Sequence, residues 1–183
     1  MDTHEALLTR RTIHEFAEGP VDEATILRGL EAALRAPNHK LTNPWRFTRV
    51  GPDTRQKIID LGVALKTASK NLSEERQQKV RRKWSAPYAL FVVSTVLAND
   101  PLRRREDYAA CACAIENFSL SLWADGVGSK WSTSQVIRDP QTYELLQFDP
   151  DDEEIIALFW VGRPGTIPDP PRRPLEEVLR EVQ

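Results

Sequence analysis

Residues 86–97 read Ala-Pro-Tyr-Ala-Leu-Phe-Val-Val-Ser-Thr-Val-Leu, and residues 100–125 read Asp-Pro-Leu-Arg-Arg-Arg-Glu-Asp-Tyr-Ala-Ala-Cys-Ala-Cys-Ala-Ile-Glu-Asn-Phe-Ser-Leu-Ser-Leu-Trp-Ala-Asp. The first stretch has the continuous apolar content of a strand buried on both faces, so it belongs at the centre of a sheet. The second is the longest helical pattern in the chain. Its second half, with Ile115, Phe118, Leu120, Leu122 and Trp123, is apolar nearly all round, which calls for burial in a core or a subunit interface. A central strand followed by a long buried helix sets the frame for the rest.

Working outward, a short amphipathic helix capped by Asp2 or Thr3 is expected to end near Arg10-Arg11-Thr12. A second runs from Val21-Asp22 and stops soon after Arg35, ahead of Pro37. Residues 37–44 form a loop into a strand from Trp45 to Val50, and a helix from about Pro52 to Thr67 follows. The polar stretch Asn71 to Lys83 fits a helix but has little apolar surface, and reads as a mobile, solvated cover. Gly126 and Gly128 end the long helix, Ser129 to Ser132 are extended, and Pro140 opens a short helix to about Phe148. Ile155 to Val161 is a second apolar strand, closed by Gly162-Arg163-Pro164, and a final short helix is expected over Leu175 to Val182. The order implies an α+β fold, a central sheet flanked by helices.

At 183 residues, 40% hydrophobic and 28% charged, the chain suits one domain spanning residues 1–183. A formal net charge of -2 gives no basic footprint for nucleic acid. No apolar run has the length of a signal peptide or of a membrane span, so the expectation is a cytoplasmic protein without membrane contact. Cys111 and Cys113 sit two apart on a helix and point in different directions, which disfavours a disulfide; both are read as buried, reduced thiols. His4, His14 and His39 show no ligand spacing, so no metal site is expected.

Arg10-Arg11-Thr12 places two guanidinium groups and a hydroxyl side by side, the donor set that suits a phosphate monoester. Taken alone, adjacent arginines on a surface are usually only solvated charge. Gly126 and Gly128 are too few for a dinucleotide-binding fingerprint.

Read together, Arg10-Arg11-Thr12 with Phe16, Arg35-Ala36-Pro37-Asn38-His39, Asn43-Pro44-Trp45-Arg46-Phe47, Gly126-Val127-Gly128, Gly162-Arg163-Pro164 and Arg172-Arg173-Pro174-Leu175 resemble in order and spacing the signature segments of the FMN-binding nitroreductase family. The resemblance spans nearly the whole chain. It implies a nitroreductase-like three-layer fold with a mostly antiparallel sheet and a homodimer with its long helix at the interface. It further implies FMN in a cleft between subunits and NAD(P)H as electron donor.

By the same resemblance, Arg10, Arg11, Thr12 and Arg172 would hold the phosphate, with Arg173 a weaker candidate. Arg35, His39 and Asn43 would reach the flavin from the partner subunit, while Trp131, Ser132 and Thr133 would approach the ring from the first. Ser121 to Gly126 would lie near the nicotinamide. No side chain is assigned as catalytic, because a flavin carries the chemistry itself.

Each residue also has a plainer reading. His39 could serve only its own loop, Trp45 suits the core, and Trp131 fits either core or flavin. The chain departs from the family pattern at Thr12 for Ser, His14 where many relatives carry Arg, Asn43 for Gln, and Ser132 for a basic residue. The acceptor would be a nitroaromatic, a quinone or a related electrophile. The alternatives are a different flavin reaction on the same scaffold (dehydrogenation, dehalogenation or flavin fragmentation) and a cofactor-free interaction protein.

Overall fold

The computed structural model describes residues 1–182. In chain order its elements are α1 (Thr3–Thr9), β1 (Glu15–Ala17), α2 (Glu23–Ala33), β2 (Trp45–Arg49), α3 (Pro52–Lys70), α4 (Glu74–Ser85), β3 (Ala89–Val96), α5 (Pro101–Ala124), β4 (Gly128–Ser132), α6 (Pro140–Leu146) and β5 (Glu153–Thr166). Single 3₁₀ turns lie at His39–Leu41, Gln135–Arg138 and Leu175–Glu177.

The helices start where short polar side chains take up free backbone N–H groups. Asp2, Asp22, Ser73, Asp100 and Asp139 each accept from the first turn of the helix that follows. Proline at the first turn of α3, α5 and α6 costs nothing, because that N–H has no intrahelical partner.

The strands form an antiparallel sheet in the order β1-β5-β3-β2, with β4 pairing β5. β3 and β5 are buried over almost their whole length, as their apolar content requires. Alternation sends Phe91, Val93, Phe159 and Val161 to one face, where α2 and α5 cover them. It sends Leu90, Val92, Leu158 and Trp160 to the other face, under α3, α4 and α6. The pairing slips between Val93 and Ser94, so Ile156 and Ala157 both join the first face. Helices, sheet and helices therefore make three layers.

On the first face Phe118 is the hub. Its ring lies 5.0 Å from Phe159 in a stacked pair and meets Phe47 and Phe91 edge-on. α2 can lie close over it because position 29 is glycine; a Cβ there would come within 2.6 Å of the ring.

Several expectations need correction. The half of α5 that holds Phe118 and Leu122 fits a core or a subunit interface by sequence, and both residues are fully buried inside this chain under α2. Residues 71–83 are not a loose cover: α4 is anchored by Trp84, 5% exposed against Trp160, with Val80 packed beside it. One buried indole outweighs the polar remainder of the segment. β1 was not foreseen, being too short to show alternation, and it pairs the continuation of β5 past Gly162 to Thr166, a stretch read as the strand's end. Leu175–Val182 forms only one 3₁₀ turn. Of the two thiols, Cys111 is buried but Cys113 is exposed. Burial pushes the Cys111 thiol up to about 11. Trp45 is 4% exposed and belongs to the core. No helix among the described residues is long and apolar enough to cross a membrane.

Candidate active site

The segment after α1 runs alongside the edge strand β4. The Ile13 N–H donates to the Ser129 carbonyl at 3.0 Å, and Thr12 bridges Ser129 in parallel pairing. Ile13 is fully buried and fills the space left by Gly128, whose hypothetical Cβ would sit 2.6 Å away. A buried isoleucine thus fixes Arg10, Arg11 and Thr12 at the start of β4. Trp131, Ser132 and Thr133 lie at its far end, about 10 Å along the strand.

The two arginines are held in place. Arg10 Nε donates to Glu116 on α5 at 2.9 Å. Arg11 donates to the Leu8 and Arg10 carbonyls at 2.8 and 3.1 Å, and to Asp169 at 3.0 Å. Leu8 belongs to the free carbonyl end of α1, which a guanidinium satisfies. Asp169 brings the C-terminal segment beside Arg11, and Arg172 follows three residues on, exposed.

At the other end of β4, Trp131 is half-buried and its indole N–H donates to the Ile156 carbonyl at 3.2 Å. This ring therefore packs against the first core and keeps one edge open. Ser132 is half-buried and Thr133 exposed. Thr133 and Tyr108 share the wall of a cavity of about 590 Å³ with Tyr143 and Phe148. The next residue, Ser134, has a buried hydroxyl with no partner. Residues 128–134 carry no carboxylate. Guanidinium groups and a hydroxyl at one end, then an indole edge, hydroxyls and an orphaned buried donor at the other, fit a phosphorylated flavin. An anion would take over the arginines from Glu116 and Asp169.

The loop holding His39 and Asn43 is built separately. Lys40, Leu41 and Asn43 all have positive φ, at 55°, 54° and 46°, a conformation unfavourable for residues other than glycine. The loop is held from both sides. Asn43 donates its backbone N–H to Asn38 at 2.9 Å and its side-chain amide to the Leu41 carbonyl at 3.1 Å. The first turns of α5 clamp the rest: His39 Nδ1 lies 2.7 Å from Glu106, and Thr42 donates to the buried Asp107 at 2.7 Å. Glu106 and Asp107 were missed in the sequence, where they look like ordinary solvated charge beside three arginines. Arg35, exposed at the end of α2, faces a shallow cavity beside α1.

The structure thus brings together Arg10, Arg11 and Thr12 with the strand that carries Trp131 to Thr133. Within one chain it leaves His39, and Asn43 of the same loop, away from them, and sets Arg35 on the cavity beside α1 with Asn117 and Ser121. His39 is tied to α5 at residue 106 and Arg10 at residue 116, about 15 Å apart along the helix.

Known proteins share this arrangement of elements. The chain is 32% identical over 178 residues to the "Putative NAD(P)H nitroreductase YfhC" of Bacillus subtilis, covering 95% of this chain and 91% of that one. The fold superposes on a nitroreductase-like family protein from Bacillus cereus with a TM-score of 0.83 at 23% identity, covering 100% and 97% of the two chains. A Desulfovibrio desulfuricans protein, described as "a putative nitroreductase in complex with fmn", matches with a TM-score of 0.78 at 23% identity, covering 99% and 96%. At these identities the two structures speak for the fold alone. The model of the Nitroreductase family matches residues 7–163, a span that starts in α1 and ends inside β5 and so takes in both the arginine segment and the strand it lies against; this chain belongs to the nitroreductase family.

Proposed function

We propose that residues 1–183 form one flavin-binding domain, and that the protein works as a homodimeric, FMN-dependent oxidoreductase. It would take hydride from NADH or NADPH and pass electrons to a nitroaromatic, a quinone or a related electrophile. The observation that carries this reading is the lateral fixing of Arg10-Arg11-Thr12 against β4, whose far end presents Trp131, Ser132 and Thr133. Bound there, FMN would supply the ring that accepts hydride and gives up electrons.

The side chains have defined work. Arg10, Arg11 and Thr12, with Arg172 from the C-terminal segment, would bind the phosphate by charge-assisted hydrogen bonds. Trp131, Ser132 and Thr133 would orient the ring. Arg35, His39 and Asn43 would come from the second subunit; within one chain His39 is tied to α5 some 15 Å from the residue that holds Arg10. Leu7 and Leu8 on α1, Leu27 and Leu34 on α2, and Leu175, Val178 and Leu179 near the C-terminus are exposed apolar side chains of the kind a second copy covers.

The test is an absorbance spectrum of the purified protein followed by anaerobic addition of NADH and NADPH. A yellow protein that releases FMN on denaturation and bleaches with either nucleotide supports the proposal. FMN that stays oxidised points to another reaction on the same scaffold, and a protein that takes up no FMN points to an interaction role. Sedimentation addresses the assembly: a stable monomer with stoichiometric FMN overturns the two-chain site.

A further inference from the structure

The loop that carries His39 and Asn43 is held by two separate sets of contacts. One set fixes the backbone. The Asn43 N–H donates to the Asn38 side chain at 2.9 Å, the Asn43 amide to the Leu41 carbonyl at 3.1 Å, and Thr42 to Asp107, 3% exposed on α5, at 2.7 Å. These contacts hold Lys40, Leu41 and Asn43 at positive φ, a conformation that persists only where the surroundings over-determine it.

The second set acts on the His39 ring. Its Nδ1 lies 2.7 Å from Oε2 of Glu106, and among the described residues Nε2 has no hydrogen-bond partner. Glu106 is braced in turn by Arg103, one turn earlier on α5. The Arg103 Nε is 3.5 Å from the same carboxylate oxygen, and its Nη1 reaches the His39 carbonyl, also at 3.5 Å. The carboxylate and the residue whose ring it holds are thus tied to one guanidinium. Stability does not explain this arrangement, because half of the His39 side chain is exposed and exposed ion pairs contribute little. Nor does the shape of the loop, which the first set of contacts already fixes. What Glu106 adds is the state of the ring. A carboxylate only accepts, so Nδ1 must carry its hydrogen, and Nε2 is left as the one ring atom that can gain or lose a proton.

We propose that Glu106 is a positioning residue of the flavin site: it fixes the His39 proton on Nδ1 and leaves Nε2 to face the flavin held by a second copy of this chain. The inference rests on the reading of His39 as a flavin contact supplied across a dimer. Neutral His39 then meets the flavin as an acceptor, so its counterpart is a donor, the ring N3–H or a ribityl hydroxyl, and not a carbonyl. A proton taken up by His39 enters at Nε2, which turns the same contact from acceptor to donor. Without the carboxylate nothing fixes the tautomer, and an unrestrained imidazole favours its proton on Nε2.

NMR of the imidazole nitrogens tests this on the protein without added FMN, at an alkaline pH where imidazoles are neutral. The chain has three histidines, and His39→Ala identifies the signal. The proton sits on Nδ1 in the wild type and on Nε2 in Glu106→Ala, while Glu106→Gln, whose amide oxygen still accepts, keeps the Nδ1 form. FMN affinity, read by fluorescence titration, follows the ring. Glu106→Ala weakens binding about five- to thirty-fold with little change in melting temperature, and Glu106→Gln recovers most of the loss. The double variant Glu106→Ala/His39→Ala binds no more weakly than His39→Ala alone. Should Glu106→Ala fail to fold, Glu106→Met takes its place, and the wild-type spectrum still decides. A wild-type proton on Nε2, an unchanged tautomer in Glu106→Ala, or equal FMN affinity in wild type and Glu106→Ala overturns the proposal and leaves the flavin reading intact. Additive losses in the double variant also overturn it, since Glu106 would then act apart from His39. Wild-type protein that takes up no FMN overturns the flavin reading and this proposal with it.

Discussion

The two faces of the sheet are packed by different rules. Under α2 and α5 the interior is dry: Phe118, Phe91, Phe159 and Leu122 interlock around Gly29, and no cation enters. Under α3 and α4 the large rings are Trp84 and Trp160, and cations stand over both, Lys66 at 4.7 Å and the Arg55 guanidinium at 5.7 Å. Arg55 is half-buried and donates to the carbonyls of Trp84, Ser85, Pro87 and Tyr88 at 2.7–3.3 Å, tying the end of α4 to the start of β3. Its burial lowers the guanidinium pKa. The first face is filled by apolar side chains, and the second sets cations against its rings.

The contrast breaks most easily at Phe118. Phe118→Ala removes the hub of the dry face and should cost about 3–5 kcal/mol in urea unfolding. A loss below about 1 kcal/mol would mean that α2 collapses onto the gap and that the face is not tightly packed. On the charged face, Arg55→Ala strips four carbonyls of their donor and should cost about 2–3 kcal/mol by the same measurement.

At the site itself, Arg10→Ala and Arg11→Ala should each weaken FMN binding about ten- to a hundred-fold in a fluorescence titration, with little change in melting temperature. Equal FMN affinity in both variants would move the phosphate elsewhere.

Smaller effects sharpen the comparison. Lys130→Met should raise the melting temperature at neutral pH in the absence of anions. The folded chain holds this amine below its ordinary 10.5, so the proton opposes folding. Wild-type stability accordingly rises with pH from the folded value toward 10.5, and the variant should lack that rise. Glu23 shows the opposite sign. Hydrogen bonds from Arg49 and Tyr88 hold its carboxyl at about 2, against an ordinary 4.5. Its contribution is present above 4.5 and lost as pH falls through about 2, so wild type and Glu23→Gln should converge in acid. The difference above that range should be small, because the pair is half-exposed.

Much of the fold was legible because burial writes a local signature. The apolar runs of β3 and β5, the helical periods of α2 and α5, and the caps at Asp22, Asp100 and Asp139 can each be read from a few neighbouring residues. The candidate phosphate set was legible for a similar reason, since Arg10, Arg11 and Thr12 are adjacent.

What the sequence could not determine depends on partners distant along the chain. β1 exists because β5 continues past Gly162 to meet it, and α4 is anchored through one indole whose neighbour, Trp160, lies 76 positions away. Phe118 suits a core or an interface equally until Gly29 is seen to let α2 cover it. Glu106 and Asp107 read as solvated charge until the folded loop sets His39 and Thr42 against them. Lys66, Lys83 and Lys130 are unremarkable singly and converge only when α3, α4 and β4 assemble. The sequence by itself determined the types of the longer apolar elements and the family resemblance, because propensity, capping and residue order act along the chain. The tertiary structure alone decided which charges are satisfied and which face is dry, because desolvation and Coulomb energies depend on distances through space.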